Sequence, residues 1–417
     1  MATLYMIIGF LLAAYAIVGN DSIQTLGTFL YSNSHRKWWQ LWIFSSSVMV
    51  AVILYGWLTH NQDPSYNRLN KVYDKSVSIA EVEEEIEYAR MAVGADPIQE
   101  KVLDDMDQFL QQLEVTKSVF VKQPQEFDAS LALLMEKFRP LQAEAADPGI
   151  PNAQRVAVRA VVDKVDEVLE QFQQRRDVSV FITWKHLIPP LVLLILTRYG
   201  FPVSTSFLVL ITFQPAVLSS MLTKSLMGYL VAMVSAVVVY LSVMRGVESR
   251  WRKEGEGGIK PIWVYLQWGS TAFLWSMWLV QDMANIFVYI PRMPELPWLL
   301  FAIAWMLAVQ AFIYYNHGGK IQKVVTSKTN THDIRSATIV DLVYGVVLYI
   351  FKIQSNVPMS TTWVFLGLLA GREIAFALSK SSDRSMKQAF KLARKDMVKA
   401  GFGLGVSVAI AFVINMV

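Results

Sequence analysis

"VGNDSIQT" (18–25) ends an uncharged apolar run, LYMIIGFLLAAYAI, and sets Asp21 between Asn20 and Gln24. A carboxylate in hydrocarbon is expensive, so an aspartate at that depth marks a functional site by default. Whether the depth is real depends on the rest of the chain. Of 417 residues, 54% are hydrophobic and only 17% charged, with a mean hydropathy of +0.35. Soluble domains carry roughly 25% charged residues, so the composition is that of a polytopic membrane protein.

The chain has no cysteine, which excludes disulfides, thiolate chemistry and Cys-ligated metals. Its histidines (His35, His60, His186, His317, His332) are scattered without a metal-ligand spacing. The first basic residue is Arg36, so residues 3–18 read as a retained span and not as a cleaved signal peptide.

Charge is unevenly distributed. Residues 61–180 hold 23 acidic and 14 basic side chains, a net of −9, and the remainder holds 11 acidic and 24 basic, a net of +13. Two solvents are implied, water around the acidic stretch and lipid around the rest. Apolar segments lie at about 3–18, 39–58, 180–199, 203–222, 225–245, 262–290, 297–315, 337–352, 358–378 and 400–416. At about 20 residues per crossing this predicts roughly ten spans, some of them interrupted. Lys and Arg cluster at 35–39, 245–260, 318–328 and 379–399. Placing all four clusters in the cytoplasm puts both termini and the acidic insert outside, in a plasma or inner membrane.

The insert, 60–178, reads as a bundle of three or four helices. Asp96, Pro97 and Gln99 form a helix start, with Ile98, Val102, Met106, Phe109, Leu110 and Leu113 on one apolar face. A turn at 147–152 precedes a second stripe of Val158, Val161, Val165, Val168 and Phe172. The acidic run at 81–87 reads as a solvated helix face.

The opening motif has a counterpart. "VGNDSIQT" is followed later by "PVSTSF" (202–207), and "VQDMANIF" (280–287) is followed by "PMSTTW" (358–363). Asp21 and Ser204 are 183 residues apart and Asp282 and Ser360 are 78 apart; the excess of 105 is about the insert less the loop at 316–335. Without the insert, the halves match and face the membrane oppositely. The expected fold is therefore an all-α polytopic membrane protein built as an inverted-topology repeat with interrupted helices, plus an extramembrane helical bundle. Its parts are 1–59 and 179–245 (first repeat), the insert 60–178, a cytoplasmic loop 246–261, and 262–417 (second repeat).

In such repeats substrate and coupling ions bind where the broken helices meet. Asp21 and Asp282 would face each other and be neutralised by cations, with Asn20, Gln24, Gln281 and Asn285 adding amide oxygens suited to sodium. Two facing carboxylates without a metal would repel and take up a proton, so proton coupling stands beside sodium coupling. The Pro-x-Ser-Thr steps suit an anion, because a helix start offers free N–H groups and the positive dipole end. Ser204, Thr205, Ser206, Ser360, Thr361 and Thr362 are the expected anion ligands.

These motifs resemble the inorganic phosphate transporter family, whose halves each carry GANDVANA-type and PVSTTH-type signatures. The resemblance covers about 1–58 and 180–417, includes Gly27-Thr28 and the loop 318–328, and excludes the insert. It implies symport of inorganic phosphate with sodium or protons, or of sulfate in some relatives, with no cofactor other than sodium as co-substrate. The partners implied are an oxyanion, the cation and the lipid bilayer, with no nucleic acid and with room for a homo-oligomer. The chain departs from the family where Phe207 and Trp363 replace histidine and Gln24 and Gln281 replace asparagine. Val288 also stands where a glycine would follow.

Smaller features have plain readings. Lys185 snorkels or caps, His186 is a weak relay candidate, and Pro189 and Pro190 would kink their span. Arg372 and Glu373 would pair at the cytoplasmic edge, Trp38, Trp39, Trp57 and Trp298 would anchor span ends, and 385–399 would lie as an amphipathic helix on the inner leaflet. An intramembrane aspartyl protease would need a GxGD-type motif that neither aspartate has, so no enzyme is expected. A degenerate transporter acting as a receptor through its insert is a further alternative.

Overall fold

The computed structural model describes residues 2–60, 62–69, 79–93, 97–122, 126–176, 182–199, 201, 203–244, 260–316, 334–354, 358–379 and 385–416. Among them there is no strand. The chain divides into two compact units, one of residues 1–72 with 178–417 and the other of residues 73–177. The helices in chain order are α1 (Ala2–Ser32), α2 (Trp38–Thr59), α3 (Ala80–Val93), α4 (Pro97–Lys122), α5 (Phe127–Ala146), α6 (Asn152–Arg176) and α7 (Ile188–Arg198). They continue with α8 (Thr205–Phe213), α9 (Leu218–Val239), α10 (Ile262–Phe287), α11 (Leu296–Tyr315), α12 (Ile334–Gln354), α13 (Thr361–Ser379) and α14 (Met386–Met416).

Seven helices among the described residues are long and apolar enough to cross a membrane, within α1, α2, α9, α11, α12, α13 and α14. This is an all-α, multi-pass membrane protein. The expectation of ten crossings needs correcting. The stretch 180–199 gives only a short turn, Trp184–Leu187, and the 11-residue α7. Pro189 and Pro190 occupy the first turn of α7, where a missing N–H breaks no helical bond, so they start the helix and do not kink it.

Likewise 203–222 and 225–245 are not two spans. They form the nine-residue α8 and then one apolar helix over Pro215–Ser242. Between them Gln214 is extended (φ −150°, ψ 91°) and Pro215 cannot continue the ladder of α8. The basic segment 385–399 is not a separate surface helix either. It runs unbroken into the last span as the 31-residue α14, which has no proline. Its glycines at 401, 403 and 405 cost about 1 kcal/mol each relative to alanine but do not stop a helix.

Within the first unit α1 packs on α10, α11 and α7, α2 packs on α10 and α11, and α10 packs along α12. A second set joins α9 to α13 and α8 to α14. Gly367 and Gly371 bring α13 onto α9, since a Cβ on either would collide with the Tyr229 or Met233 carbonyl oxygen. In lipid, where apolar surface gains little from self-association, such close backbone approach supplies the packing. Tryptophans tie the first set together. Trp42, Trp57, Trp275 and Trp305 donate to the carbonyls of Leu307 (3.1 Å), Pro294 (2.9 Å), Ser45 (3.0 Å) and Leu11 (3.1 Å).

The sequence reading started the insert at residue 60, but residues 62–69 belong to the first unit. There Asp63, Ser65, Tyr66, Arg68 and Leu69 are buried. Asp63 Oδ1 accepts from the Ser65 N–H (2.7 Å) and Oδ2 from the Asn67 N–H (3.0 Å). Gln62, Tyr66 and Asn67 are left-handed, with φ of 61°, 58° and 59°. For a ring-bearing residue like Tyr66 that conformation costs on the order of 1–2 kcal/mol, so the surrounding contacts must impose it.

The second unit is a four-helix bundle in which α3 packs on α6 and α4, and α5 packs on α4 and α6. Val102, Met106, Phe109, Leu113, Val158, Val161, Val165 and Val168 are all buried, and Phe109 and Phe138 meet at 5.4 Å between ring centres. Within the acidic run, Val82 and Ile86 turn inward while Glu81, Glu83, Glu84 and Glu87 face solvent. Lys164 of α6 pairs with Glu81 and Glu167, which raises the lysine above its usual range. Asp96 and the side chains of Ile98 and Phe172 lie outside the described residues, as do the basic clusters at 245–259 and 318–328.

Candidate functional site

Both motif pairs come to one place. Asn20 and Asp21 lie in the middle of α1, and Gln281, Asp282 and Asn285 lie near the end of α10. Ser204 and Ser360 stand one residue before α8 and α13, whose first residues are Thr205 and Thr361. All these side chains, with Ser206 and Thr362, are buried. Pro202 and the side chain of Gln24 lie outside the described residues.

The two helix starts are built alike. Ser204 Oγ accepts from the Phe207 N–H (3.3 Å), and Ser360 Oγ accepts from the Trp363 N–H (3.2 Å). A serine is favoured there because its oxygen satisfies one of the free donors of the first turn. The starts also hold each other. The Ser206 hydroxyl reaches the Met359 carbonyl (3.1 Å), and the Thr362 hydroxyl donates to the Val203 carbonyl (3.2 Å). Phe207 and Trp363, which stand where the resembled family has histidine, pack on each other at 5.7 Å between ring centres.

The aspartates sit against these starts and not apart from them. The Thr205 hydroxyl lies beside the Asp21 carboxylate and the Thr361 hydroxyl beside that of Asp282. Asn20 Nδ2 donates to Asp21 Oδ1 (2.6 Å), and Thr197 donates to Asn20 Oδ1 (3.3 Å). Asn285 Nδ2 lies 2.8 Å from Asp282 Oδ1, 3.0 Å from Ser206 Oγ and 3.2 Å from Thr205 Oγ1. Ser206 Oγ is 3.0 Å from Asp282 Oδ1. Gln281 donates to the Leu348 carbonyl (3.2 Å). The two carboxylates are close enough to repel. Expected as separate cation and anion ligands, the residues form one cluster in which several hydroxyls face carboxylates.

Four buried oxygens of this cluster have no donor among the described residues: Asp21 Oδ2, Gln281 Oε1, Asp282 Oδ2 and Asn285 Oδ1. A buried acceptor left unpaired costs about 1–3 kcal/mol, and carboxylate and amide oxygens are the ligand type that suits a hard cation. The donors at the helix starts suit an oxyanion.

Two groups here escaped the sequence reading. Arg68, buried in the first unit, donates from Nε to the Val280 carbonyl (2.7 Å) and lies within electrostatic reach of Asp282 and of Lys224 on α9. It was read as part of the insert, and no spacing in the sequence joins it to Asp282. Tyr344 of α12 donates to the Thr361 carbonyl (3.0 Å) and is in electrostatic reach of both aspartates. A further buried acid, Asp341, lies outside the cluster; its charge inside the apolar run 337–352 was the signal that could have found it.

Other candidates stand elsewhere. His186 is buried against Phe213 at 4.8 Å, and its Nδ1 accepts from the Thr183 N–H (3.2 Å). Arg372 stacks on Phe376 at 5.0 Å. Trp275 and Trp278 are stacked in the core at 4.8 Å and are not span-end anchors. No family model, curated protein or solved structure matches the chain.

Proposed function

We propose that this chain is a secondary active transporter that carries inorganic phosphate across a membrane by symport with a cation, sodium being the favoured ion. The observation that carries the reading is the junction of the α8 and α13 starts beside two buried aspartates with unpartnered oxygens. Matched helix starts and matched acids, one set from each half, are what an inverted repeat brings to its midplane.

The packing supports that repeat. If α1, α2, α7, α8 and α9 correspond to α10, α11, α12, α13 and α14, then α1–α11 exchanges with α2–α10. In the same way α8–α14 exchanges with α9–α13, and α1–α7 with α10–α12. The reciprocal bonds Ser206 to Met359 and Thr362 to Val203 follow the same rule. Alternating access would then be a rocking of one half against the other about this junction.

In this reading sodium is held by Asp21 and Asp282 with amide oxygens of Asn20, Gln24, Gln281 and Asn285. The anion is held by Ser204, Thr205, Ser206, Ser360, Thr361 and Thr362. Arg68 adds a guanidinium, whose planar donors suit a phosphate. Adjacent opposite charges raise each other's affinity, which is the thermodynamic content of coupling. The likeness to the phosphate transporter family points the same way, and with the basic clusters in the cytoplasm the acidic insert would lie on the extracytoplasmic side.

Radiolabelled phosphate uptake into proteoliposomes, with and without an inward sodium gradient and with sulfate as competitor, tests this. Sodium-driven uptake that sulfate does not reduce is the expected result. Absence of phosphate uptake and of phosphate exchange under either a sodium or a proton gradient overturns the reading.

A further inference from the structure

Beyond the paired aspartates and Asp63, the first unit buries a further acid, Asp341, with no cation bonded to it among the described residues. Asp341 of α12 bridges α1 and α10. Its Oδ1 accepts from the Thr28 hydroxyl (2.6 Å) and its Oδ2 from the Thr271 hydroxyl (2.7 Å). These threonines are its bonded partners, and all three residues are buried. An ionisable group held this way inside a membrane span is functional by default.

A polar track runs through it. On α1, Asp21, Thr25, Thr28 and Ser32 follow at steps of four, three and four residues, which keeps them on one face. Thr28 lies about 10 Å along the helix from Asp21 at 1.5 Å per residue. Between them Thr25 is buried and its hydroxyl has no partner. On α12, Tyr344 lies one turn from Asp341, donates to the Thr361 carbonyl (3.0 Å) and is in electrostatic reach of the paired aspartates. Past Asp341 the track goes on through Gln267, which donates to Ser32 and accepts from Asn33 Nδ2 (2.8 Å). Beyond these Ser34 is exposed.

The geometry points to Asp341 as a proton-carrying site, so that a proton accompanies the phosphate in addition to the cation at Asp21 and Asp282. This rests on the transport reading above. A metal ion does not suit this position, because both threonine oxygens are within hydrogen-bond length of the carboxylate and leave no gap between them. A proton needs none: hydroxyls rotate, and each threonine can turn from donor to acceptor when the acid is neutral. Asp341 takes H⁺ from water reaching the Ser34 end, an O–H bond forms, and the carboxylate is restored when the proton leaves to water on the Thr25–Tyr344 side.

Charged groups on the elements packed against α12 are Asp21 of α1, Asp282 of α10, Lys224 of α9, and Arg372 and Glu373 of α13. α12 itself carries Arg335 and Lys352. Among the described residues none of these is bonded to Asp341, and the side chain of Lys352 lies outside them, so in this proposal the proton is the charge that neutralises the acid.

The test uses the full chain in proteoliposomes with radiolabelled inorganic phosphate and a pH-sensitive dye inside. Two readouts are taken: phosphate exchange at equilibrium, and net uptake driven by an inward proton gradient. The wild type should acidify the lumen as phosphate enters. Asp341→Asn should exchange phosphate as the wild type does while its proton-driven accumulation falls on the order of tenfold or more. Asp341→Glu should restore proton movement. Proton-driven accumulation unchanged in Asp341→Asn overturns the inference and leaves transport standing, as does wild-type exchange without proton movement. Absence of wild-type exchange overturns the transport reading instead. If Asp341→Asn does not fold, Thr25→Val decides: slowed proton-driven uptake with normal exchange supports the site, and unchanged uptake overturns it.

Discussion

Asp21 and Asp282 occupy matching motifs, yet their surroundings differ. Asp21 has Asn20 and Thr205, whereas Asp282 has Ser206, Asn285, Thr361 and, within electrostatic reach, the Arg68 guanidinium. A duplicated motif thus yields two chemically distinct acids. In the transport reading Asp21 would depend on an external cation for neutrality, whereas Asp282 has part of its compensation supplied by the chain. The source of that charge is residues 62–69, which have no counterpart among the described residues of the second half.

The largest expected effect comes from the acids themselves. Asp21→Asn and Asp282→Asn should each reduce coupled phosphate uptake on the order of 100-fold with insertion intact. Wild-type uptake in the double variant would remove the mechanism. The two should differ in stability, because Asp282→Asn removes an acid within electrostatic reach of the buried Arg68 guanidinium, whereas Asp21→Asn does not. Melting of the purified variants in detergent measures this. Equal shifts for the two variants, or no recovery in Asp282→Asn combined with Arg68→Gln, would erase the distinction.

Next in size is the packing of the halves. Gly371→Val should drive α13 off α9 and cost about 2 kcal/mol in thermal stability. The same change at Gly401 of α14, where nothing lies within 4 Å of an added Cβ, should cost far less. Arg68→Gln should raise the apparent KM for phosphate about tenfold, the size of one charge-assisted hydrogen bond, while Arg68→Lys recovers part of it. An unchanged KM would confine Arg68 to balancing Asp282. The smallest effect is expected at Trp363→Leu, about 1 kcal/mol of stability from the lost ring pair with Phe207.

Part of this was legible in residue order. The bundle of 79–176 followed from stripes at helical spacing, because a solvated helix must hide one face and shows it locally. The paired motifs were legible for the same reason, since Asn20-Asp21 and Ser204-Thr205 are short words whose chemistry needs no distant partner to be noticed. Span counting failed at α7 and α8. Nine residues of α8 are as apolar as a span, and only the Gln214-Pro215 break and the packing on α14 limit it to a half-length helix. Arg68 looked like one charge among the insert's many, and Asp341 like one charge in an apolar run.

Composition and periodicity determined by themselves that this chain is helical, that most of it is made for lipid, that an acidic bundle interrupts it, and that two aspartates and two Ser-Thr steps recur in order. Burial preferences and helical spacing are properties of neighbouring residues, so order alone carries them. Only the tertiary structure decided which buried charges meet: that Ser206 of one half reaches Asp282 of the other, that Arg68 enters the site, and that Thr28, Thr271 and Asp341 close a bridge across three helices. Those hydrogen-bonded pairings span 70 to 313 residues of chain, and a buried polar group takes whatever partner the fold delivers, which no local pattern encodes.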